Sequence, residues 1–469
     1  MYYYISRQKF RGGQNLGIEQ ASEFLSRNLP ANLRMLLTPL ALHEVYLDLD
    51  YLEEMARRVR APIDRAAMNL FVKTLESAQL LLDCGQSIYQ ISPILATALH
   101  IESLPDTDAW TRVFVEAMGS VAEALAGRSY EEQKAPYQVY ARNFYSALRH
   151  AERLRMDDEA LRLTHGLAVW EMNSGRYEDA EKLYATLTRH PARRADAYHQ
   201  LGRIAQIRRN PQAALEWYRM AVTIHESAGD QVAMADTWIQ LGIMAREKRD
   251  LDTAEDWFRK TITVRQSQGD DDGAASAYHE LGIVYEQRED TVSAERWYYR
   301  ALATKEKSGD ESTTASIYHH LGMLALKKND TASAERWFNK SLGIRERLQQ
   351  QDSASQTYHQ LGLLACRKED WLSADNWFRK SLDIADRAGD APLSAANAFQ
   401  LGRLTVMQGQ LVAAGRWLIK SIQVYRSTDA ADMNEAVNSF VEIHRQAPLA
   451  SKTQLEELWR AAKLGGMPS

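Results

Sequence analysis

Histidine side chains recur at regular intervals in the second half of this 469-residue sequence. Imidazole nitrogens bind metals and form hydrogen bonds at neutral pH, so the series is the sharpest polar feature of the chain. Its members are His199, His279, His319 and His359, with His320 beside the third. Ile239 and Phe399 occupy the equivalent places in two further intervals, and all these positions are spaced by 40 residues or 80.

The histidine series permits three interpretations. Helices one repeat apart lie roughly 10 Å from each other, whereas a Zn–N bond is about 2.1 Å long. Successive imidazoles therefore do not share a metal ion, and we expect no metal. Two interpretations stay open: each histidine packs against a neighbouring helix and hydrogen-bonds locally, or the series lines a binding face.

Signatures of catalysis are absent from the sequence. It contains no GxxxxGK[ST] phosphate loop, no CxxC, no HExxH and no GxSxG. Two cysteines, Cys84 and Cys366, do not make a disulfide framework, and Cys84 lies in a predicted turn without histidine or asparagine partners. We therefore predict a chain that is not an enzyme and binds no cofactor.

A 40-residue repeat positions the histidines. Six copies lie between about Tyr198 and Gln423, each with Leu-Gly, then Ala, then Trp three residues after the Ala. The Trp column comprises Trp217, Trp257, Trp297, Trp337, Trp377 and Trp417. Six of the 11 Trp occupy this single position, which indicates a repeat architecture.

Each copy is predicted to form a pair of helices. In the copy from Ala275 to Gly309, apolar residues first follow one helical stripe, then Asp290 can cap a second helix, and Gly309 can close it. The Gly after Leu and the Ala before Trp are small because the two helices cross closely there. The Trp column is interpreted as core. One pair cannot bury its apolar face alone, so neighbouring pairs must stack into a solenoid.

The pattern resembles the tetratricopeptide repeat family. The matching residues are Leu-Gly, Ala and two aromatic columns, the first being Tyr198, Trp238, Tyr278, Tyr318 and Tyr358, and the second Tyr218, Phe258, Tyr298, Phe338 and Phe378. The sixth copy departs from it with Ala398 and Leu418. The usual unit has about 34 residues, so these copies are similar to the longer variant of some signalling adaptors.

The resemblance implies that first-helix residues line a concave groove. Here that set is His199, Arg203, Ile239, Ile243, His279, Ile283, His319, Met323, His359, Leu363 and Arg403. Its middle is apolar and cations stand at both ends, which suits an amphipathic helix or an apolar segment of a protein or peptide ligand. The alternative is that some of these aliphatic residues are simply buried. The set lacks the Lys and Asn pattern with which some family members clamp a peptide carboxylate.

Composition excludes several partners. The net charge is −5, so no overall basic field attracts nucleic acid. No stretch of about 18 apolar residues is present, so we expect no membrane span. The start of the chain has no signal-peptide core, and a reducing cytoplasm fits the two cysteines.

The N-terminal part of the sequence is predicted to form a separate small domain. Residues 1–28 are predicted as a linker, Met1 to Gly13, followed by a short helix from Gly17 to Asn28. Residues 29–103 then show helices at Leu33–Glu44, Leu49–Val59 and Ile63–Leu81 and two short strands around Cys84-Gly85-Gln86. Three helices and a hairpin are the winged-helix plan.

This N-terminal domain resembles the winged-helix region of STAND-class signalling ATPases. The residues behind the resemblance are Leu29-Pro30, Leu33-Arg34, the run from Pro39 to Glu44, Tyr51-Leu52, and the run from Tyr89 to Leu95. Ser92 stands where that class often has a phosphate-sensing histidine. The third helix offers only Arg65 and Lys73 as cations, too few for reading DNA.

Between this domain and the repeats, residues 104–190 are predicted as irregular, degenerate repeat helices: Trp110–Leu125, Tyr130–Leu154, Asp158–Met172 and Tyr177–Leu187. The six 40-residue units fill 191–428. Residues 429–469 are predicted as capping helices, Ala431–Arg445 and Thr453–Lys463, because a solenoid must end against water.

The sequence thus predicts an all-α fold, a right-handed tetratricopeptide superhelix preceded by a small winged-helix domain. The resemblances imply a protein-recognition sensor of a STAND-type ATPase whose ATPase core and effector domain lie outside this chain. In bacterial relatives of that class the trigger is sometimes a viral protein. A free-standing scaffold that bridges proteins and a winged-helix transcription regulator remain the alternatives.

Overall fold

The computed structural model describes residues 17–99, 104, 106–428 and 433–466. The predicted linker Met1 to Gly13 lies outside these residues. The chain forms two compact units, Met1–Asp230 and Gln231–Ser469. The observed fold confirms the predicted class: a helical solenoid with a small N-terminal domain that contains strands.

The first unit opens with short helices and a small sheet. In chain order its elements are α1 Ile18–Asn28, a 3-10 helix Ala31–Leu36, α2 Leu37–Leu42, β1 Tyr46–Asp48, α3 Leu49–Arg58, α4 Arg65–Ser77, β2 Leu81–Asp83, β3 Ile88–Ile91 and α5 Pro93–Ala98. The strands are antiparallel in the order β1-β3-β2, with Tyr46 opposite Gln90 and Leu81 opposite Ile91. The predicted hairpin is therefore present, extended by a third strand.

Two details of this region differ from the sequence prediction. The single helix expected from Leu33 to Glu44 is a 3-10 helix followed by α2. Pro39 has no amide to donate to residue 35, so a continuous α-helix loses a hydrogen bond there, whereas Pro39 is tolerated in the first turn of α2. Strand β1 was not predicted, because three residues are too few to show an alternating pattern.

The first unit continues as helices only. These are α6 Thr107–Ala126, α7 Tyr130–Leu154, α8 Asp157–Asn173, α9 Tyr177–Leu187, α10 Arg194–Ile207 and α11 Pro211–Ala228. The four helices predicted between 104 and 190 are confirmed within three residues at each end. One core joins them to the N-terminal domain, with Phe71, Phe114 and Phe144 fully buried.

The second unit consists of paired helices. They are α12 Gln231–Glu247, α13 Leu251–Ser267, α14 Asp271–Gln287, α15 Thr291–Ser308, α16 Glu311–Lys327, α17 Thr331–Arg347, α18 Gln351–Arg367, α19 Trp371–Ala388, α20 Ala391–Met407, α21 Leu411–Thr428, α22 Met433–Gln446 and α23 Leu449–Ala461. Even-numbered helices from α12 to α20 are the first helices of the repeats, and odd-numbered ones from α13 to α21 are the second. Each first helix packs on the second helix that follows it.

Capping residues explain where the repeat helices begin and end. The Asp290 side chain accepts from the Ser293 amide at 3.0 Å, as predicted, and Asp330 accepts from Ser333 at the same distance. Gly309 ends α15 with φ of 74°, a left-handed conformation that favours glycine. Repeated caps thus give each helix pair nearly the same length.

In the first five copies, the glycine that follows the repeated Leu lies against an aromatic ring, and in the sixth Gly402 lies against Leu418. A Cβ built on Gly322 would stand 2.6 Å from Phe338, and one on Gly282 would stand 2.3 Å from Tyr298. The predicted close crossing is therefore present, and the neighbour is the aromatic ring one residue after Trp. That ring is fully buried, as is the Ala three residues before Trp.

The Trp column is less buried than the core interpretation expected. Every Trp of the column is half-buried, and it packs at the edge of the core. Each of the first five stacks on the aromatic residue of its own first helix, as Trp337 does on Tyr318 with ring centroids 5.4 Å apart. A cation lies over several of these pairs, for example Lys340 at 4.9 Å from both rings.

The last two helices close the second unit. Phe440, Leu455 and Trp459 of α22 and α23 pack on the apolar face of α21, which includes Leu418 and Ile422. A pair of helices was predicted here, and its expected first residue, Ala431, lies outside the described residues.

Candidate interaction face

The predicted groove residues form two rows along the first helices. The histidine row consists, in the second unit, of Ile239, His279, His319, His359 and Phe399. The aliphatic row lies four residues further on and consists, in the second unit, of Ile243, Ile283, Met323, Leu363 and Arg403. Four residues of this row are half-buried, and Arg403 is exposed. In the first unit, Arg203 is exposed and His199 is half-buried, with its ring 5.5 Å from Tyr218.

The aliphatic row has one side in the core and one side accessible. Ile283 packs at the edge of the central core cluster, Met323 at the edge of the next one, and Leu363 at the edge of a third. Part of each side chain is buried, as the alternative interpretation held, and part stays open. A row of partly open aliphatic side chains on consecutive helices can receive an apolar ligand segment.

Two histidines connect adjacent first helices by hydrogen bonds. His359 Nδ1 lies 2.8 Å from Asn397 Oδ1, and His319 Nδ1 lies 3.2 Å from Thr357 Oγ1. His319 is only 9% exposed. Burial lowers the pKa of both imidazoles below the usual value, more strongly at His319. These contacts match the local-packing interpretation of the histidine row.

His279 differs from the other members of the row. Its ring packs 6.0 Å from Tyr298 and 5.5 Å from His320, and its Nε2 atom is buried without a hydrogen-bond partner. Burial is the main cause that lowers the pKa of His279 to about 3, with nearby cations adding to it. The ring is therefore neutral at physiological pH.

Glu286, which the sequence interpretation did not single out, links the two rings that pack on His279. His320 Nδ1 lies 3.0 Å from Glu286 Oε2, and the Tyr298 hydroxyl donates to the same oxygen at 2.8 Å. Burial raises the pKa of Glu286, but these hydrogen bonds together with the nearby positive charges outweigh it and leave the pKa below its usual range.

A half-buried ion pair lies beside His279. Arg246 Nε stands 3.3 Å from Glu280 Oε2, and burial raises the pKa of that carboxyl against the opposing effect of Arg246. The sequence contains a signal for these polar side chains at the residue directly before Leu-Gly. Four copies carry Gln there, at Gln200, Gln240, Gln360 and Gln400, whereas the third and fourth carry Glu280 and His320.

Neither cysteine is placed for nucleophilic chemistry. Cys84 and Cys366 are free and half-buried, and burial raises the pKa of both thiols. Across the described residues, no group of three or more His, Cys, Asp or Glu side chains is arranged to hold a metal ion.

The N-terminal domain gives little support to DNA reading. Of the two cations of α4, Arg65 is paired with Asp50 at 2.7 Å and with Glu53 at 2.8 Å. Ser92, which stands at the nucleotide-sensing position of the resemblance, caps α5 by accepting from the Leu95 amide at 3.3 Å. None of the helices in the described ranges is long and apolar enough to cross a bilayer.

A solved structure matches nearly the whole chain. It is the STAND protein with a tetratricopeptide repeat sensor from Pyrococcus horikoshii, with a TM-score of 0.62 and 14% sequence identity. The match covers 97% of this chain and 66% of that one, so the chain spans about two thirds of that protein. At this identity the likeness concerns the fold.

Other solved structures match less well. A Rap protein complexed with Competence and Sporulation Factor has a TM-score of 0.46 and 12% identity over 74% of this chain and 99% of its own. BtubC from P. vanneervenii has a TM-score of 0.36 and 21% identity over 49% of this chain and 92% of its own. No curated protein sequence matches the chain.

The family profile described as "Tetratricopeptide repeat" matches residues 193–267, 231–307, 273–347 and 353–427. These ranges coincide with the 40-residue copies and with the helix pairs described above. The chain is therefore a tetratricopeptide repeat protein, built on the scaffold of an interaction module.

Proposed function

We propose that this chain is a non-enzymatic recognition module that captures a protein or peptide ligand on the first-helix face of its repeats. The observation that carries the proposal is the aliphatic row, whose side chains at Ile243, Ile283, Met323 and Leu363 stay partly open on four consecutive first helices. We infer an apolar segment or an amphipathic helix as ligand, because such a segment places apolar residues at spacings that reach consecutive helices.

The chain's larger context is proposed from its fold. A STAND protein with a tetratricopeptide repeat sensor shares the fold over 97% of this chain, and this chain spans 66% of that protein. We propose that the repeats sense the ligand and that the N-terminal domain, acting as a winged helix, passes the event to an ATPase core and an effector domain supplied from outside this chain. Recognition of a viral protein in bacterial defence is one form that such sensing takes.

The test is a pair of charge substitutions on the aliphatic row. The variant Met323→Glu/Leu363→Glu places two carboxylates in the middle of the face, where an apolar ligand would have to desolvate them. The full chain and the variant serve as bait in the native cell, with and without phage challenge, and captured proteins are quantified by mass spectrometry. Binding of the purified candidate is then measured by calorimetry, with an expected loss of at least tenfold in affinity.

A matched control separates binding from folding. Val292 and Leu372 are 74% and 84% exposed on second helices, so Val292→Glu/Leu372→Glu adds the same charge away from the aliphatic row. We expect this control to bind as the unchanged chain does. A ligand retained by the Met323/Leu363 variant, or lost equally from both variants, would contradict the assignment. Circular dichroism must show that both variants keep their helical content.

A further inference from the structure

A buried cation stands near the end of three second helices of the second unit. Arg265, Lys305 and Arg345 are spaced by 40 residues and are 9%, 2% and 4% exposed. An ionised side chain at such depth is costly unless an opposite charge or several hydrogen bonds compensate it. The three sites therefore permit a direct comparison of how each charge is compensated.

The first two cations are each held by two carboxylates. Lys305 Nζ lies 2.8 Å from Asp272 and 3.1 Å from Asp310. Arg265 pairs with Asp270 at 2.9 Å and with Asp236. Three repeat positions thus supply the acids: the residue five after the cation, and those 29 and 33 before it.

Around Arg345 all three of these positions are neutral. The residue five after the cation is Gln350, and those 29 and 33 before it are Ser316 and Ser312. Within the described residues Arg345 has no ion pair, and its Nη1 donates to the Ser353 carbonyl at 2.8 Å and to Thr357 Oγ1 at 2.5 Å. Burial lowers the pKa of Arg345 to about 10, a value that still leaves it charged at neutral pH.

The same replacement removes a helix cap. Asp270 and Asp310 also cap α14 and α16 by accepting from the Gly273 and Thr313 amides. Gln350 makes no such cap on α18, and its side chain instead donates to Ser312 Oγ at 2.8 Å. The amide groups at the start of α18 are thus without the carboxylate that they have in the neighbouring units.

The neutral side chains line an open cavity of about 410 Å³. Its lining residues are Ser312, Ser316, Gln349, Gln350, Gln351, Asp352 and Ser353. All three residues that replace the acids belong to this set, so the cavity opens where carboxylates stand in the two preceding repeats. Asp352 is an exposed acid of the lining and would oppose an anion, so the other lining groups must outweigh it.

We propose that this cavity is a binding site for an oxyanion, a carboxylate or phosphate group of a ligand, which supplies the charge that Arg345 lacks. Serine hydroxyls and a glutamine amide in the lining donate hydrogen bonds to such a group. The Arg345 guanidinium provides the opposite charge from directly behind the lining, where it donates to the carbonyl of the lining residue Ser353. The uncapped start of α18 adds its positive dipole. The volume exceeds that of a single small anion, so the anionic group can belong to a larger molecule.

The test restores the acid that the neighbouring units carry. Gln350→Asp places a carboxylate where Asp310 meets Lys305, so it compensates Arg345 and caps α18 internally. The full chain is titrated at pH 7.5 with inorganic phosphate or with malonate against chloride at constant ionic strength, and the melting temperature and heat of binding are recorded. Asn339→Asp adds one charge on the exposed face of α17 and is the matched control.

We expect saturable binding to the unchanged chain and to Asn339→Asp, and at least tenfold weaker binding to Gln350→Asp. The variant Gln350→Asp should also melt at a higher temperature without added anion. Preference for phosphate or for malonate tells which group the ligand carries. Equal responses of all three proteins, or no saturable response of the unchanged chain, would overturn the proposal. Arg345→Met, if it folds, should lose binding as well.

Discussion

At the scale of single residues, the sequence predicted that the repeated glycines lie at close contacts, but not which side chains they contact. The sequence showed that Gly follows Leu in every copy, which indicates a close contact. It did not show that the contact is the flat ring of Phe338 or Tyr298, because the ring lies on another helix and the pairing depends on the crossing geometry. Likewise, the half-buried position of the Trp column depends on how far each second helix is rotated about its axis.

Alanine substitutions at two glycines on neighbouring helices should therefore change the unfolding free energy in opposite directions. In Gly322→Ala the new methyl group would lie 2.6 Å from Phe338 in a fully packed core, and overpacking should cost about 2 kcal/mol of unfolding free energy. Gly343 lies inside α17 with no atom within 4 Å of its added Cβ, so Gly343→Ala should stabilise by about 0.5–1 kcal/mol. Urea unfolding of both variants checks the signs, and a stabilised Gly322→Ala would contradict this packing.

At the scale of elements, helix starts were largely predictable because a capping residue and the pattern that it opens are adjacent in sequence. Helices α6 to α9 were placed within three residues from local signals alone. Strand β1 was missed because its stability comes from distant residues. Asn143 of α7 accepts from the Glu44 amide at 3.0 Å and donates to the Tyr46 carbonyl at 2.9 Å, across almost 100 residues.

Removing one cap should weaken one helix. Asp330→Ala takes away the acceptor of the Ser333 amide and should cost about 1 kcal/mol of unfolding free energy. Asp256→Ala, at an exposed site inside α13, should stay within about 0.5 kcal/mol of the unchanged chain. Thermal unfolding followed by circular dichroism compares them, and equal melting temperatures would argue against a capping role.

Loss of the hydrogen bonds between Asn143 and the chain around β1 should cost more stability than loss of one helix cap. Asn143 is 1% exposed, so Asn143→Ala leaves the Glu44 amide and the Tyr46 carbonyl without their partner and should cost about 2–3 kcal/mol. Hydrogen exchange should show faster exchange at the edge of the small sheet first. Ser120→Ala, at an exposed site on α6, is the control and should leave exchange unchanged. Unaltered protection of the sheet in Asn143→Ala would show that α7 does not hold it.

At the scale of the whole molecule, buried histidines should make the fold sensitive to acid. Burial lowers the pKa of His43 to about 4 and that of His279 to about 3. Since the unfolded chain titrates near 6.5, it binds more protons than the folded chain below that pH. The stability that comes from keeping these histidines neutral is therefore fully present above about pH 6.5. It is lost as the pH decreases toward the pKa values of the folded state.

His279 allows this pH dependence to be measured at one site. His279→Ile copies the residue at position 239 and removes one group that stays neutral in the fold. The loss of unfolding free energy between pH 7 and pH 5 should become smaller by about 2 kcal/mol, since each unit of pKa difference corresponds to about 1.4 kcal/mol. Urea unfolding at both pH values gives the difference. The same loss in variant and unchanged chain would show that His279 is not buried in its neutral form.

The stacked aromatic pairs should give the repeats a characteristic near-ultraviolet circular dichroism signal. Tyr278–Trp297, Tyr318–Trp337 and Tyr358–Trp377 hold their ring centroids 5.4–5.7 Å apart in nearly the same orientation, so each repeat should add a similar near-ultraviolet circular dichroism signal. In the sixth copy Ala398 takes the place of the ring that would face Trp417, so its emission should differ from the rest. Loss of the shared dichroism would therefore report the opening of the inner repeats, to which Trp417, without a ring at position 398, adds little.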